Sequence, residues 1–302
     1  MTAIKKVAVF GASGNFGAPI TAALIKAGFE LTIISRADSP TTFPPGVRVI
    51  KIAYTPENFA SALIGQDTAI CAVGPGGIHH QTAMIDAAEA AGVKRFIIDD
   101  FGWGPNVRAL PEFHDVREKR RAQWDHAKAR ADANPRFTWT GISTGNPIDW
   151  AIKKFPLMGF NVTDHSATMY DKGEEEFTGT TLEGIAQSVV GVLTHPEETK
   201  NRFVRVFSIK TCQNKLLQAL QNVTDEQWRI RKSTTKELMA SGRSKLANGT
   251  GGWVLDLVVA QLYDEGEARC VVASRRSESD ADLLGVASET EDQIARKALG
   301  LV

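Results

Sequence analysis

Residues 7–20 read Val7-Ala8-Val9-Phe10-Gly11-Ala12-Ser13-Gly14-Asn15-Phe16-Gly17-Ala18-Pro19-Ile20, and this stretch decides the fold. Its first four residues are apolar throughout, as a parallel strand covered by helices on both faces requires. Glycines follow at 11, 14 and 17 and open a helix that places Ile20, Leu24 and Ala27 on one face before Gly28 ends it. Such a loop needs glycine because the backbone turns sharply, approaches a pyrophosphate closely and packs helix against sheet. The helix N-terminus then offers unpaired N–H groups and partial positive charge to phosphate. The spacing is GxxGxxG rather than GxGxxG, and its place between a strand and a helix points to a dinucleotide.

Working outward, short apolar runs at 31–35, 47–52, 68–73, 95–98 and 137–142 alternate with helical patterns at 56–63, 81–91 and 113–133. Strands and helices at these spacings predict an α/β fold, a doubly wound parallel sheet with right-handed crossovers. After Trp150 the rhythm changes. A hairpin-like stretch is expected around Tyr170–Phe177, a strand over 203–209, and helices over 182–193, 214–221, 233–241 and 253–263. The division is therefore a dinucleotide-binding domain over 1–155 and a smaller mixed α/β cap over 156–302, which lends a strand back to the main sheet.

Composition sets the outer bounds. The 302 residues carry 35 Lys+Arg against 35 Asp+Glu, a formal charge of zero without the electrostatic footprint of a nucleic-acid binder. Three cysteines, Cys71, Cys212 and Cys270, lie far apart with no CxxC pair, which argues against a disulfide framework or structural zinc. No apolar window approaches the length of a membrane span, and the N-terminus lacks a secretory pattern. A cytoplasmic protein without membrane or nucleic-acid partners is expected, and its neutral surface suits a monomer or a homodimer equally. No metal site is expected, since the adjacent pair His79-His80 could not face one site from a regular helix.

The second strand ends Ile33-Ile34-Ser35-Arg36, with Arg36 twenty-two positions after Gly14. An acidic residue there binds a ribose 2′-hydroxyl, whereas an arginine holds a 2′-phosphate bidentately and stacks on adenine. NADPH is thus favoured over NADH, although Asp38 two residues on keeps NADH open and a solvated strand-end arginine would look the same.

Four stretches carry a resemblance: GASGNFGAPI from Gly11, Ile34-Ser35-Arg36, VKRFIIDDFGWGP from Val93 and TWTGISTGNPIDW from Thr138. Together they are similar to the NmrA-like branch of atypical short-chain dehydrogenases, within it to the isoflavone reductase and phenylcoumaran benzylic ether reductase relatives in their fungal form. The resemblance implies a Rossmann-type NADPH-binding domain, a C-terminal substrate domain and an active cleft between them. It assigns Gly11, Ser13, Gly14, Asn15, Phe16, Gly17 and Arg36 to the adenosine and pyrophosphate, and Val73 and Gly74 to the ribose. Asp99, Asp100 and Phe101 would flank the nicotinamide and Asn146 would line the cleft. For the aspartates a plain turn role competes with that assignment.

The proton donor is harder to place. The YxxxK pair of ordinary short-chain dehydrogenases is absent: Tyr54, Tyr170 and Tyr263 are followed four residues on by Asn58, Glu174 and Glu267. The resemblance implies a lysine on the helix after the Phe101-Gly102 loop, but that position falls at Ala122 or Gln123. Lys119 one turn earlier, His126 on the same helix, and Tyr170 from the cap are the substitutes, with Arg120, Lys128 and His114 close by. Interleaved acids make a solvated helix face the competing reading for this run. Trp103, Phe113, Trp150, Met158 and Phe160 could wall an apolar or aromatic substrate, or be ordinary core.

The sequence therefore supports an NADPH-dependent reductase that passes a hydride to a small apolar or aromatic acceptor of enone, imine or benzylic ether type. The competing class is a non-catalytic NADP(H)-sensing regulator that binds a protein partner, which the missing lysine would suit.

Overall fold

A computed structural model describes residues 4–74 and 76–302. The first half alternates β1 (Lys6–Phe10), α1 (Gly17–Lys26), β2 (Glu30–Arg36), β3 (Arg48–Ile52), α2 (Pro56–Leu63), β4 (Thr68–Cys71), α3 (Gln81–Ala90), β5 (Arg95–Ile97), α4 (His114–Ala133) and β6 (Thr138–Ser143). There follow β7 (Asn146–Pro147), α5 (Ile148–Ile152), β8 (Phe160–Asn161), β9 (Ser166–Tyr170), β10 (Phe177–Thr180), α6 (Leu182–Thr194), α7 (Pro196–Thr199) and β11 (Arg202–Arg205). The chain closes with β12 (Ile209–Thr211), α8 (Gln213–Thr224), β13 (Arg229–Ser233), α9 (Thr235–Ala247), α10 (Trp253–Tyr263) and α11 (Glu291–Leu299).

Seven strands in the order β11-β6-β5-β4-β1-β2-β3 form one sheet, every neighbouring pair parallel. This is the doubly wound arrangement expected from the alternation. Because successive residues of a strand face opposite sides, β1 feeds two cores. Val7 and Val9 pack with Ile20 and Leu24 of α1 and Ile185, Val189 and Val192 of α6. Ala8 and Phe10 pack with Phe59 and Leu63 of α2, Met84 of α3 and Trp124 of α4. The strand order reverses between β1 and β4, which opens a crevice beyond their carboxyl ends where a ligand can enter.

Beyond residue 155 the chain contributes α6 and β11 to this layered structure and builds a second core from Met158, Phe160, Tyr170, Phe177, Trp228 and Tyr263. Two short sheets, β12-β10-β7 and β13-β9-β8, accompany it. Two expectations are corrected here. The stretch 170–177 is no hairpin, because β9 and β10 lie in different sheets. The strand expected over 203–209 is two strands: β11 pairs with β6 and stops at Arg205, and β12 pairs with β10. The Val206 N–H still donates to the Ser143 carbonyl of β6, and the chain then crosses to β10, where the Ser208 N–H donates to the Gly179 carbonyl. Asp280 accepts from the Arg205 backbone N–H and the Arg202 guanidinium on the open edge of β11. Among the described residues no helix is long and apolar enough to cross a membrane.

Candidate active site

The glycine loop is built by exclusion. Gly11 has φ +77°, and a Cβ there would lie 2.5 Å from the Ala72 carbonyl carbon and inside its oxygen. The ends of β1 and β4 thus approach more closely than any side chain permits. A Cβ on Gly17 would lie 2.8 Å from the carbonyl carbon of Gly11. The loop closes through the Gly14 N–H donating to the Gly11 carbonyl at 2.9 Å. No side chain caps α1 and no acid sits in its first turn, which leaves its positive end available to an anion.

This loop opens on a cleft of about 530 Å³. Gly11 to Gly14 form one wall, Arg36, Ser39 and Thr41 one rim, Tyr54 part of the floor, and Val73, Gly76, Gly77, His79 and His80 the opposite rim. Arg36 is two-thirds exposed and holds Asp38 only loosely at 3.9 Å, so its guanidinium is free to turn to a phosphate. Space a Cβ would fill, an uncapped helix end and an unclamped arginine beside hydroxyls together fit a 2′-phosphorylated dinucleotide.

Of the residues the sequence singled out, Gly11, Ser13, Gly14, Arg36 and Val73 line this cleft together. Asn15 and Gly17 belong to the same loop, and Phe16 packs edge-on against Phe101 at 6.0 Å, closing the crevice from within. Gly74 donates its N–H to Asp99 Oδ2 at 3.0 Å, so Asp99 ties the loop after β5 to the loop after β4. Asn146 is buried on β7, with Oδ1 lacking a hydrogen-bond partner.

Asp100 is also buried, and it faces Arg120 of α4 at 3.0 Å while its second oxygen has no partner. Burial pushes its pKa up to about 6 against the pull of Arg120. A carboxyl whose pKa is higher in the folded chain binds its proton more tightly there, so its contribution is fully present below pH 4 and is lost as pH rises through about 6. Replacing it with the neutral isostere in Asp100→Asn is therefore expected to stabilise the fold at pH 7 by up to about 3 kcal/mol. The gain over the parent protein should vanish by pH 4. Urea unfolding across that range checks it, and a variant less stable than its parent at pH 7 would contradict the burial account.

The three proton-donor candidates are not brought together. Lys119 stands on the solvent face of α4. His126 hydrogen-bonds Asp86 at 2.7 Å, an oxygen it shares with Arg130. Tyr170 is buried in the second core, stacked on Tyr263 at 5.7 Å, and burial pushes its phenol up. The reason lies in the helix period. The inner stripe of α4 is Trp124, Ala127 and Ala131, which turns Arg120 inward and Lys119 out. That stripe was available in the sequence and, read first, would have selected Arg120. Gln123, one of the two positions where the resemblance would put its lysine, receives a hydrogen bond from Gln81 and donates one to the Ile78 carbonyl, each 2.9 Å. Gln81 in turn accepts from the Asp99 N–H.

His79 and His80 are not on a regular helix: they form a 3₁₀ turn before α3, with ring centroids 3.9 Å apart. Met158 and Phe160 are fully buried core, and Phe113 stacks on Trp253 at 5.9 Å, whereas Trp103 and Trp150 stay partly exposed.

Comparison with known proteins agrees with this architecture. The model of the NmrA-like family matches residues 3–114. Over 290 residues, 96% of the chain and 92% of the relative, the sequence is 61% identical to oxidoreductase poxI of Penicillium oxalicum. It is 34% identical to oxidoreductase aprR of Aspergillus flavus over 74% of the chain and 76% of that protein. The fold superposes on the solved structure of AtPrR2 with NADP+ and (+)pinoresinol with a TM-score of 0.79 at 17% identity, covering 99% of this chain and 100% of the other.

Proposed function

Since the chain belongs to the NmrA-like family, with relatives named oxidoreductases along most of its length, we propose that it is an NADPH-dependent reductase. Its acceptor is a small apolar or aromatic molecule of enone, imine or benzylic ether type. One observation carries the reading: the Gly11–Gly17 loop and the uncapped end of α1 open on a cleft whose rim bears Arg36, Ser39 and Thr41. The solved neighbour with NADP+ and (+)pinoresinol supports both the nucleotide and the aromatic acceptor.

NADPH, when bound, supplies the hydride, and the protein supplies binding, orientation and charge. The glycine-loop amides take the pyrophosphate and Arg36 takes the 2′-phosphate. Phe16 and Phe101 keep water from the inner end of the crevice. Arg120 and Asp100 replace the missing lysine: the carboxyl, pushed up to about 6, exchanges a proton just below neutrality, and the guanidinium offers positive charge to an oxygen that gains negative charge. Trp103 and Trp150, partly exposed beside the second core, face the acceptor.

The test follows absorbance at 340 nm while NADPH is offered aromatic enones and cyclic imines. NADPH consumption matched by reduced product is expected. Arg36→Ala should raise the KM for NADPH roughly 30-fold with little change in kcat, the loss of one charge-assisted pair. Tight NADPH binding without turnover of any acceptor would favour the NADP(H)-sensing regulator instead.

A further inference from the structure

The strand β13 forms one edge of the sheet β13-β9-β8, and its sequence is Arg229-Ile230-Arg231-Lys232-Ser233. It pairs with β9 alone, in parallel, from Arg229 beside Ser166 to Ser233 beside Tyr170. Two bonds fix which backbone groups that pairing uses. The Arg229 N–H donates to the His165 carbonyl at 2.9 Å, and the Ser233 carbonyl accepts from the Asp171 N–H at 3.0 Å. By the two-residue period of a strand, Arg229, Arg231 and Ser233 turn their backbone groups to β9. Ile230 and Lys232 turn theirs outward, where nothing among the described residues hydrogen-bonds them.

An edge of this kind is a template for another strand. All four residues from Arg229 to Lys232 are exposed. Ile230 stands beside Ala167, which is buried in the second core, yet it is itself 53% exposed. It thus carries the core's apolar surface to the open edge and leaves it uncovered. Arg229 and Arg231 project from the opposite face. The Arg229 guanidinium reaches only the Asp164 carbonyl, at 3.3 Å, and among the described residues no carboxylate pairs with Arg229, Arg231 or Lys232. A second copy suits this edge poorly, because a two-fold antiparallel pairing centred on the strand would set Arg231 against Arg231.

We propose that β13 is a docking edge for an extended acidic segment of a partner protein, which adds to the sheet as a fourth strand. The outward N–H and C=O groups of Ile230 and Lys232 hold its backbone. Its side chains alternate, with carboxylates along Arg229 and Arg231 on one face and apolar groups on Ile230 on the other. No residue of β13 lines the nucleotide cleft, so the docking edge stands or falls independently of the reductase reading.

The probe is the peptide Glu-Val-Glu-Val-Glu with both ends blocked, titrated into the full-length protein and followed through the backbone amide resonances. Saturable binding is expected, shifting the Ile230 and Lys232 amides more than those of Arg229 and Arg231. The peptide Lys-Val-Lys-Val-Lys should bind roughly tenfold more weakly, since it sets like charges opposite one another. Lys232→Pro removes one outward N–H where an edge strand tolerates proline, and should weaken the acidic peptide roughly tenfold. Arg229→Glu combined with Arg231→Glu should reverse the preference between the two peptides. An unchanged melting temperature will show that these variants fold. No saturable binding of the acidic peptide, equal binding of both peptides, or undiminished binding in Lys232→Pro overturns the proposal. Dimerisation of the parent protein that Lys232→Pro abolishes, in place of peptide binding, would give the edge to a second copy and overturn it as well.

Discussion

Gly17→Ala is expected to destabilise the protein by about 3 kcal/mol and to weaken NADPH binding beyond detection, although alanine is the better helix former. Propensity favours the substitution by at most about 1 kcal/mol at this first helical position. Against it, the new Cβ would lie 2.8 Å from the Gly11 carbonyl carbon and 2.9 Å from Ala12 Cα, both backbone atoms that no rotamer change can move. Overpacking of this kind costs roughly 1–3 kcal/mol where side chains can yield, and the upper end applies where they cannot. Relief would require α1 to withdraw from the loop, taking its uncapped N–H groups away from the phosphates. Thermal unfolding and a nucleotide titration read both effects, with Gly251→Ala as the control, since a Cβ there meets nothing within 4 Å. A Gly17→Ala protein with parental stability and affinity would mean that the loop is not the tight turn described.

Arg95→Ala should cost about 4 kcal/mol, lowering the melting temperature by roughly 8 °C. Arg95 is fully buried in β5, and burial brings its pKa down to about 10, which leaves it charged at pH 7. Its guanidinium donates to Thr138 Oγ1 at 2.7 Å, Thr140 Oγ1 at 3.0 Å, Thr199 Oγ1 at 3.1 Å and the Pro196 carbonyl at 2.6 Å. One side chain thereby joins β5, β6 and the α7 turn that leads into β11. Truncation leaves a cavity and buried acceptors without donors, two penalties that add. Arg95→Lys keeps the charge but not the fork, and should recover only part of the loss. A shift under about 2 °C for Arg95→Ala would show that the network is not what anchors β11.

The first half of the fold was legible because each of its signals is local. Val7–Phe10 is apolar on both faces, and Gly11, Gly14 and Gly17 mark a turn between strand and helix. The second half was less so, because its strand ends depend on distant partners. Phe203 to Ile209 reads as one alternating strand, and its division follows from a change of partner, β6 for its first half and β10 for its second, which no local pattern announces. The site divides in the same way. Arg36 is announced by its place at a strand end. The inward turn of Arg120 toward Asp100 required the stripe of Trp124, Ala127 and Ala131 to be weighed above the i, i+4 relation of Lys119 to Gln123. The 3₁₀ turn that carries His79 and His80 after β4 has no local sequence signal that separates it from the start of α3.

These corrections leave one claim at the centre: the cleft beside the glycine loop selects NADPH through Arg36. The measurement that tests it most directly is a fluorescence titration of the purified protein with NADPH and NADH at the same ionic strength. The account predicts that NADPH binds at least tenfold more tightly, a difference of about 1.4 kcal/mol. Equal affinities, or tighter binding of NADH, would contradict it and would return Asp38, two residues from Arg36, as the group that reads the ribose.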